Sequence, residues 1–510
     1  MPSGFDVIVV GAGSAGAIVA AGIAAQSSAT VLLVEEGDDA TPEDVAQIAR
    51  QQSARTGTLV RRIDADEAHG HPTTLLSGRI LGGGWSINHA VVAGPTREDL
   101  ERVAGRMGTE DWSVRQIQRR VQQRIVRLDA SGSGTMTTDQ ALAEGRIPTR
   151  ATYLPGDPLP PAAADLLEAS RAHGLPFVEE FASTRGGVGA CAYRLSAIDG
   201  VRYTSASVLL DPQRRPKHLT VLARTRVEEV LVDGEQVRGV RLIDAFGQAR
   251  TVEAASVILC AGALHTPQLL QRSGIGDADE LTAAGIPVHH ALAGVGRGLL
   301  DHARIEIPLT MEPHRLDEGQ RFGDGRRLHV RTSVDDDHEE AAVDLTIRHP
   351  RGRASVVLMV KLLVQRAAGT VRPRRNGGNH ASEIRTGLAR SADDVADLRA
   401  GAETGLRILG DPALRGRYKV NTSGVIPAAA DVSQRRTSTG DLVGTCRMGP
   451  ESDEERVVGA DLQVRGVRGL MIADASVLPI LPRTPPVPWV IAIAERAVEQ
   501  IVANGATRHD

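Results

Sequence analysis

Lysine is nearly absent from this chain: only three of its 59 lysines and arginines are lysine. Arginine therefore carries almost all the positive charge, and with aromatic residues at 2 % aliphatic side chains must fill the core. Cysteine is scarce as well. Cys191, Cys260 and Cys446 stand far apart in the sequence, which excludes a disulfide framework and a cysteine metal site and predicts reduced thiols. No run reaches the roughly 20 apolar residues of a bilayer span. The nearest, SVVLMVKLLV at 355–364, is short and interrupted by Lys361, so no integral membrane segment is expected. The opening MPSGFDVIVVGAG lacks a basic n-region and a small-residue cleavage site, and a cytoplasmic protein is expected. A net charge of -4, with both signs mixed along the chain, leaves no electrostatic footprint for nucleic acid.

What is present suggests a large globular protein of two to four lobes, since 510 residues exceed one ordinary domain. FDVIVV (5–10) reads as a buried strand, GAGSAG (11–16) as a tight turn, AIVAAGIAAQ as a helix and TVLLVEE (30–36) as a second buried strand. In this βαβ unit Gly11 closes the turn, Gly13 lets a pyrophosphate approach the backbone, and Gly16 lets helix pack on strand. Ser14 and Ala15 open the helix at its anion-favouring end. Glu35, 19 residues beyond Gly16 and followed by Glu36, would accept the hydroxyls of an unphosphorylated ribose, favouring FAD or NAD over NADP.

Residues 40–75 read as a helix and connector leading to a second glycine-dense loop, GRILGGGWSINH (78–89). The alternation of LTVLARTRVEEVLVDGEQVRGVRLID (219–244), with an Asp-Gly turn at 233–234, predicts a hairpin or meander. SVILCAGA (256–263) returns to the buried-strand type and brings Ala261 and Gly262 to its end. Residues 303–420 are the least patterned, with an acidic run at 334–340 and an Arg/Gly-rich loop at 366–378, and look like a substrate-side lobe. The last segment holds a strand (469–476), the bend LPRTPPVP (481–488) and a helix from Trp489 that Pro488 can start.

Together these motifs resemble the glucose–methanol–choline (GMC) oxidoreductases. GALHTPQLLQRSGIG (262–276) fits the second signature of that family, and GRILGGGWSIN (78–88) fits the first except at Trp85, where a small residue is usual. DWS at 111–113, GVRYTSASVLL at 200–210, GVGRGLLDH at 294–302 and the closing VGTCRMG and GVRGLMIADASVLP match further. The resemblance implies an α/β fold: a Rossmann-like FAD-binding domain, discontinuous over 1–302 and 437–510 with insertions near 110–200, and an α+β substrate domain with antiparallel sheet at 303–436. It implies that Gly11, Gly13 and Gly16 hold the pyrophosphate and Glu35 the ribose. Arg79, Gly82, Gly83 and Asn88 would line the pyrophosphate and flavin edge, Val227 the adenine, and Asp474 and Ala475 the ribityl chain. Members that link FAD covalently do so through a histidine at the position of Ile87, so noncovalent FAD is expected, with His89 read as a surface or packing residue. The implied reaction oxidises the CH–OH group of a small alcohol by hydride transfer to flavin N5 and passes the electrons to an external acceptor. The helix from Val490 would face the flavin pyrimidine with its positive end.

The departures fall on the acid/base groups. Where the family has a histidine three residues before the Gly-Thr of its closing motif, this chain has Asp441; where it has a second histidine or asparagine some 43 to 44 residues later, it has Pro485, Pro486 and Val487. Asp441 is either the base or a polar loop residue bound to backbone, and both readings are open at this point. With both usual groups absent, the alternatives are an FAD-containing GMC-type lyase, which would also need a base, or a flavin-binding homologue with lost or altered catalysis. Cys446 is expected as a packed small side chain, Arg447 as a loop-fixing donor, and His302 and His265 as non-catalytic. The proline-rich bend resembles that of the mycofactocin-associated dehydrogenases of the family, which implies an acceptor other than oxygen.

Overall fold

The computed structural model describes residues 4–39, 59–66, 72–128, 136–153, 158–311, 328–334, 340, 342–348, 356–374, 382–414, 416–420 and 428–505. Its fold is α/β, with two seven-stranded sheets. In the first sheet Gly4–Val10 lies between Val31–Val34 and Ala249–Leu259, all parallel, and Leu470–Ile472 runs parallel to the end of Ala249–Leu259. Strands this rich in valine, isoleucine and leucine suit a sheet covered on both faces. The helix Ser14–Gln26 follows the first strand, and the closing helix Val487–Ala503 packs against it. Gly22 permits that approach: a Cβ there would lie 2.7 Å from Val498.

The expected hairpin forms between Arg226–Asp233 and Gln236–Ile243 and continues antiparallel into Ala249–Leu259. Leu219–Leu222, expected in the same meander, instead pairs parallel with Val31–Val34 at the sheet edge. The alternation is the same in either place. What separates them is the turn at Arg224, whose φ of +52° ends the strand before the hairpin begins. A second expectation is also corrected: within 40–75, Val60–Ala65 and Thr73–Gly78 form an antiparallel pair, with cross-strand partners the local pattern did not reveal. Residues 40–58 and 67–71 of that segment lie outside the described residues. The glycine-dense loop at 78–89 contains a short helix, Gly83–Ile87. Trp85 on that helix is fully buried and donates its indole N–H to Ser196 Oγ at 2.9 Å.

The second sheet is antiparallel, ordered Tyr418–Val420, Ala303–Met311, Val356–Leu362, Val343–Arg348, His329–Thr332, Gly189–Cys191, with Thr437–Ser438 also paired to Ala303–Met311. Its apolar face carries Ile305, Ile307, Val330, Leu345, Leu358 and Val360 in one cluster with Leu398 and Ala402 of the helix Ala392–Leu409. The period-two pleat turns Lys361, Asp344 and Arg331, cross-strand partners or their neighbours, to the opposite face. Residues 335–339 of the acidic run and 375–378 of the Arg/Gly-rich loop lie outside the described residues.

Candidate active site

One cavity of about 500 Å³ runs along the ends of the parallel strands. Gly11, with φ of +95°, makes the turn after the first strand, and a Cβ on Gly16 would sit 1.8 Å from the Gly11 carbonyl oxygen. The helix Ser14–Gln26 begins at Gly13 without a side-chain cap, leaving its first N–H groups to the cavity. The second glycine loop lies against the first. Gly82 N donates to Ala12 O at 2.7 Å, and a Cβ on Gly83 would come within 2.9 Å of Gly13 Cα. Two backbones this close, with no side chain between them, leave room and donors for a pyrophosphate.

Gly11, Gly13, Ser14, Ala15, Glu35, Glu36, Arg79, Gly83, Asn88, Val227, Ala261, Gly262, Asp474, Ala475 and Asp441 all line this cavity. Gly16 and Gly82 stand behind the wall as packing and turn positions. The Glu35 carboxylate accepts from Ala12 N and Gly37 N, both at 2.8 Å. Burial pushes its pKa up from 4.5 to about 7, against those two donors. Glu36 is paired with Arg61 at 2.6 Å; burial raises its pKa, but the guanidinium prevails and lowers it. Val227 sits beside a register irregularity of the hairpin. Asp474 uses both oxygens on protein donors: Gly262 N and Thr266 Oγ1 on one, Ser476 N on the other.

The sequence reading singled out neither Arg61 on the wall nor Arg202 behind it. Arg61 has no local motif. His265 lies at the Glu36 end, between Ser77 Oγ (3.2 Å) and Gln268 Oε1 (3.0 Å), far in role from Asp441. Burial lowers its pKa and favours the neutral ring. Arg202 braces the short helix by donating to Trp85 O, Asn88 O and Asn88 Oδ1. His89 is exposed and does not line the cavity.

At the other end, Thr439, Gly440, Asp441 and Leu442 face Pro485, Pro486 and Val487. Asp301 builds the 438–441 loop. Its Oδ1 accepts from Asp441 N (2.9 Å), His302 N (2.7 Å) and Thr439 Oγ1 (3.0 Å), and its Oδ2 from Ser438 Oγ and Gly440 N. Burial and the neighbouring Asp441 charge push Asp301 up to about 6. The Asp441 side chain is 20 % exposed, and its Oδ2 meets Lys361 Nζ at 3.1 Å. Burial pushes the Asp441 carboxyl up, but the Lys361 ammonium, helped by His302 and the Thr439 hydroxyl, outweighs it and leaves Asp441 below the ordinary carboxylate value.

The bend 482–486 is held from three sides. His302, fully buried, has one ring nitrogen 3.0 Å from Pro482 O and the other 2.8 Å from Leu362 O. Arg331 donates to Arg483 O at 2.8 Å, and Arg483 pairs with the buried Asp99 at 3.0 Å. The closing helix then starts at Pro486 with no side-chain cap, beside the cavity. Cys446 is buried, and burial pushes its thiol far up, so it is an inert packed group. Arg447 pairs with Asp453 and Glu455, fixing its own loop.

A glycine-turn βαβ unit, an acidic residue closing the second strand and a loop, Thr439–Leu442, that leaves the antiparallel sheet to line the same cavity define a dinucleotide-binding oxidoreductase. Residues 5–304 and 365–494 match the GMC oxidoreductase family. The chain belongs to the GMC oxidoreductases, which are FAD-dependent enzymes. Choline oxidase of Arthrobacter globiformis is 27 % identical over 98 % of this chain and 94 % of its own length. 5-(Hydroxymethyl)furfural oxidase of Methylovorus sp. (strain MP688) is 26 % identical over 98 % and 99 %. The crystal structure of pyridoxine 4-oxidase from Mesorbium loti superposes with a TM-score of 0.85 at 25 % identity, covering 97 % of this chain and 98 % of that one. Among the described residues no helix is long and apolar enough to cross a membrane.

Proposed function

We propose that this enzyme oxidises the CH–OH group of a small alcohol with noncovalently held FAD and delivers the electrons to an external acceptor. The observation that carries the reading is that Asp441 and the uncapped start of the closing helix line the same cavity as the glycine turn and Glu35. The uncapped helix start at Gly13, the back-to-back glycines and the acceptor Glu35 fit a dinucleotide that presents an anionic pyrophosphate and a ribose diol. Bound FAD would supply a ring that accepts a hydride. The chain's own residues would do the rest. Asp441, kept ionised beside Lys361, takes the hydroxyl proton. The positive end of the helix from Val487 favours negative charge arriving at the cavity floor.

Pro485 and Pro486 offer no acid or base at the second position, so proton handling falls to Asp441. The aliphatic Ile87 offers no nucleophile for a covalent flavin link, which supports noncovalent binding. Residues 1–302 and 437–510, apart from the insertions near 110–200, serve the cofactor, and residues 303–436 shape the substrate side. Relatives bearing the names of alcohol oxidases support the CH–OH chemistry. An anaerobic screen of alcohols followed by flavin absorbance tests the proposal: bleaching by at least one alcohol is expected. Purified protein without flavin, or flavin that no alcohol bleaches, would remove it.

A further inference from the structure

Asp441 does not stand alone, and its partner comes from where no closing-loop pattern points. Lys361 lies on Val356–Leu362, a central strand of the antiparallel sheet in which every residue is buried. It is 8 % exposed, whereas Lys217 and Lys419, the other two lysines, are exposed. A buried ammonium is costly without a counter-charge. Of the carboxylates nearby, Asp344, its cross-strand partner, is committed to His329 at 2.9 Å, to Arg331 at 3.5 Å and to the Tyr193 hydroxyl at 3.0 Å. The contact Lys361 makes is with Asp441 Oδ2.

We propose that Lys361 is the positioning partner of Asp441, replacing from the antiparallel sheet the second acid/base residue that the Pro485–Pro486 bend lacks. This rests on the reading of Asp441 as the base. Lys361 pins Oδ2, while Oδ1 carries no hydrogen bond among the described residues and is left as the acceptor toward the cavity. In the reaction the alcohol O–H breaks and its proton goes to Asp441. Bound FAD would accept the C–H hydrogen with its electron pair as a hydride, so that the alcohol, having lost proton and hydride, becomes a carbonyl compound. The titratable groups facing Asp441 are Lys361 from the central strand and, from the segment before Ala303–Met311, Asp301 and His302, the last held neutral by burial and by Lys361, which lower its pKa to about 3; Pro485, Pro486 and Val487 bring none. Lys361 therefore sets the state of Asp441 against the opposing charge of Asp301.

The test compares wild type with Lys361→Met, Lys361→Arg, Asp441→Asn and the Lys361→Met/Asp441→Asn double variant. Flavin reduction by the best alcohol of the screen is followed by anaerobic stopped flow across pH. The wild type is expected to keep its rate down to about pH 5, because Asp441 stays ionised there. In Lys361→Met the acid limb should move up by at least about one pH unit, with Lys361→Arg restoring it. A limb unmoved in Lys361→Met, at full flavin content, would overturn the inference. Wild-type reduction in Asp441→Asn would instead defeat the reading of Asp441 as base. A readout free of turnover is urea-induced flavin release: the two single substitutions should couple by about tenfold or more in the double variant. Additive effects there would sink the pair even if no alcohol reduced the flavin. If Lys361→Met does not fold, recovery of folding in the charge-free double variant would itself show the coupling, and a double variant that fails equally would overturn it.

Discussion

The two ends of the cavity are made in opposite ways. At the glycine-turn end the ligand-facing surface is backbone: Gly11, Gly13, Gly83 and an uncapped helix start, supplied by segments that close their own turns. At the Asp441 end it is side chains and prolines gathered from three distant stretches, with Asp301, Lys361 and His302 holding a loop and a bend that have no regular structure of their own. The first end depends on shape and tolerates no added atom. The second depends on charge balance, and its function can change while its fold survives.

The largest expected effect lies at the backbone end. Gly16→Ala places a Cβ against the Gly11 carbonyl, where neither partner can yield, and should cost about 3 kcal/mol of stability together with the bound flavin. Thermal melting and flavin content check it. If the flavin is retained, the turn is softer than its geometry indicates and the contrast between the two ends fails. Next, Asp441→Asn should slow flavin reduction by about 10²- to 10⁴-fold and, by leaving the buried Lys361 without its counter-charge, lower the melting temperature while the flavin stays bound. Loss of flavin in that variant would mean the charged end also builds the cofactor site.

Glu35 gives a smaller, pH-dependent effect. Its folded pKa, near 7, lies above the ordinary 4.5, so this group stabilises the flavin-free chain most below pH 4.5, and the benefit fades as pH rises through 7. A ribose diol donates best to the ionised carboxylate, so FAD affinity should rise as pH rises through 7. Glu35→Gln should weaken FAD binding by about tenfold above that pH and flatten the dependence, as fluorescence titration would register. The smallest effect is expected of His89→Ala, an exposed position away from the cavity: flavin content and reduction rate should match wild type. A flavin lost from that variant by denaturing gel filtration, but retained covalently in the wild type, would contradict noncovalent binding.

Much of the first sheet was legible because its signals are local. Strand, glycine turn, helix and acid follow one another within 35 residues, and Asp233-Gly234 marks its own hairpin. Leu219–Leu222 was misread because alternation says that a strand is half-buried and does not say which neighbour it joins. Val60–Ala65 and Thr73–Gly78 escaped notice because each is short and polar on one side. At the site, Asp441 could be found by counting back from Gly444-Thr445, but Arg202 and Asp301 act through contacts of long sequence separation. Lys361 was read only as an interruption of an apolar run.

The sequence by itself determined the dinucleotide turn, the family and the absence of a histidine where Asp441 stands, because each is a matter of residue type at fixed spacing. Only the tertiary structure decided what Asp441 faces. A carboxylate's partner 80 residues away, on a central strand of the antiparallel sheet, is set by where the chain leaves that sheet after Thr437–Ser438, and its ionisation follows from that contact and from burial.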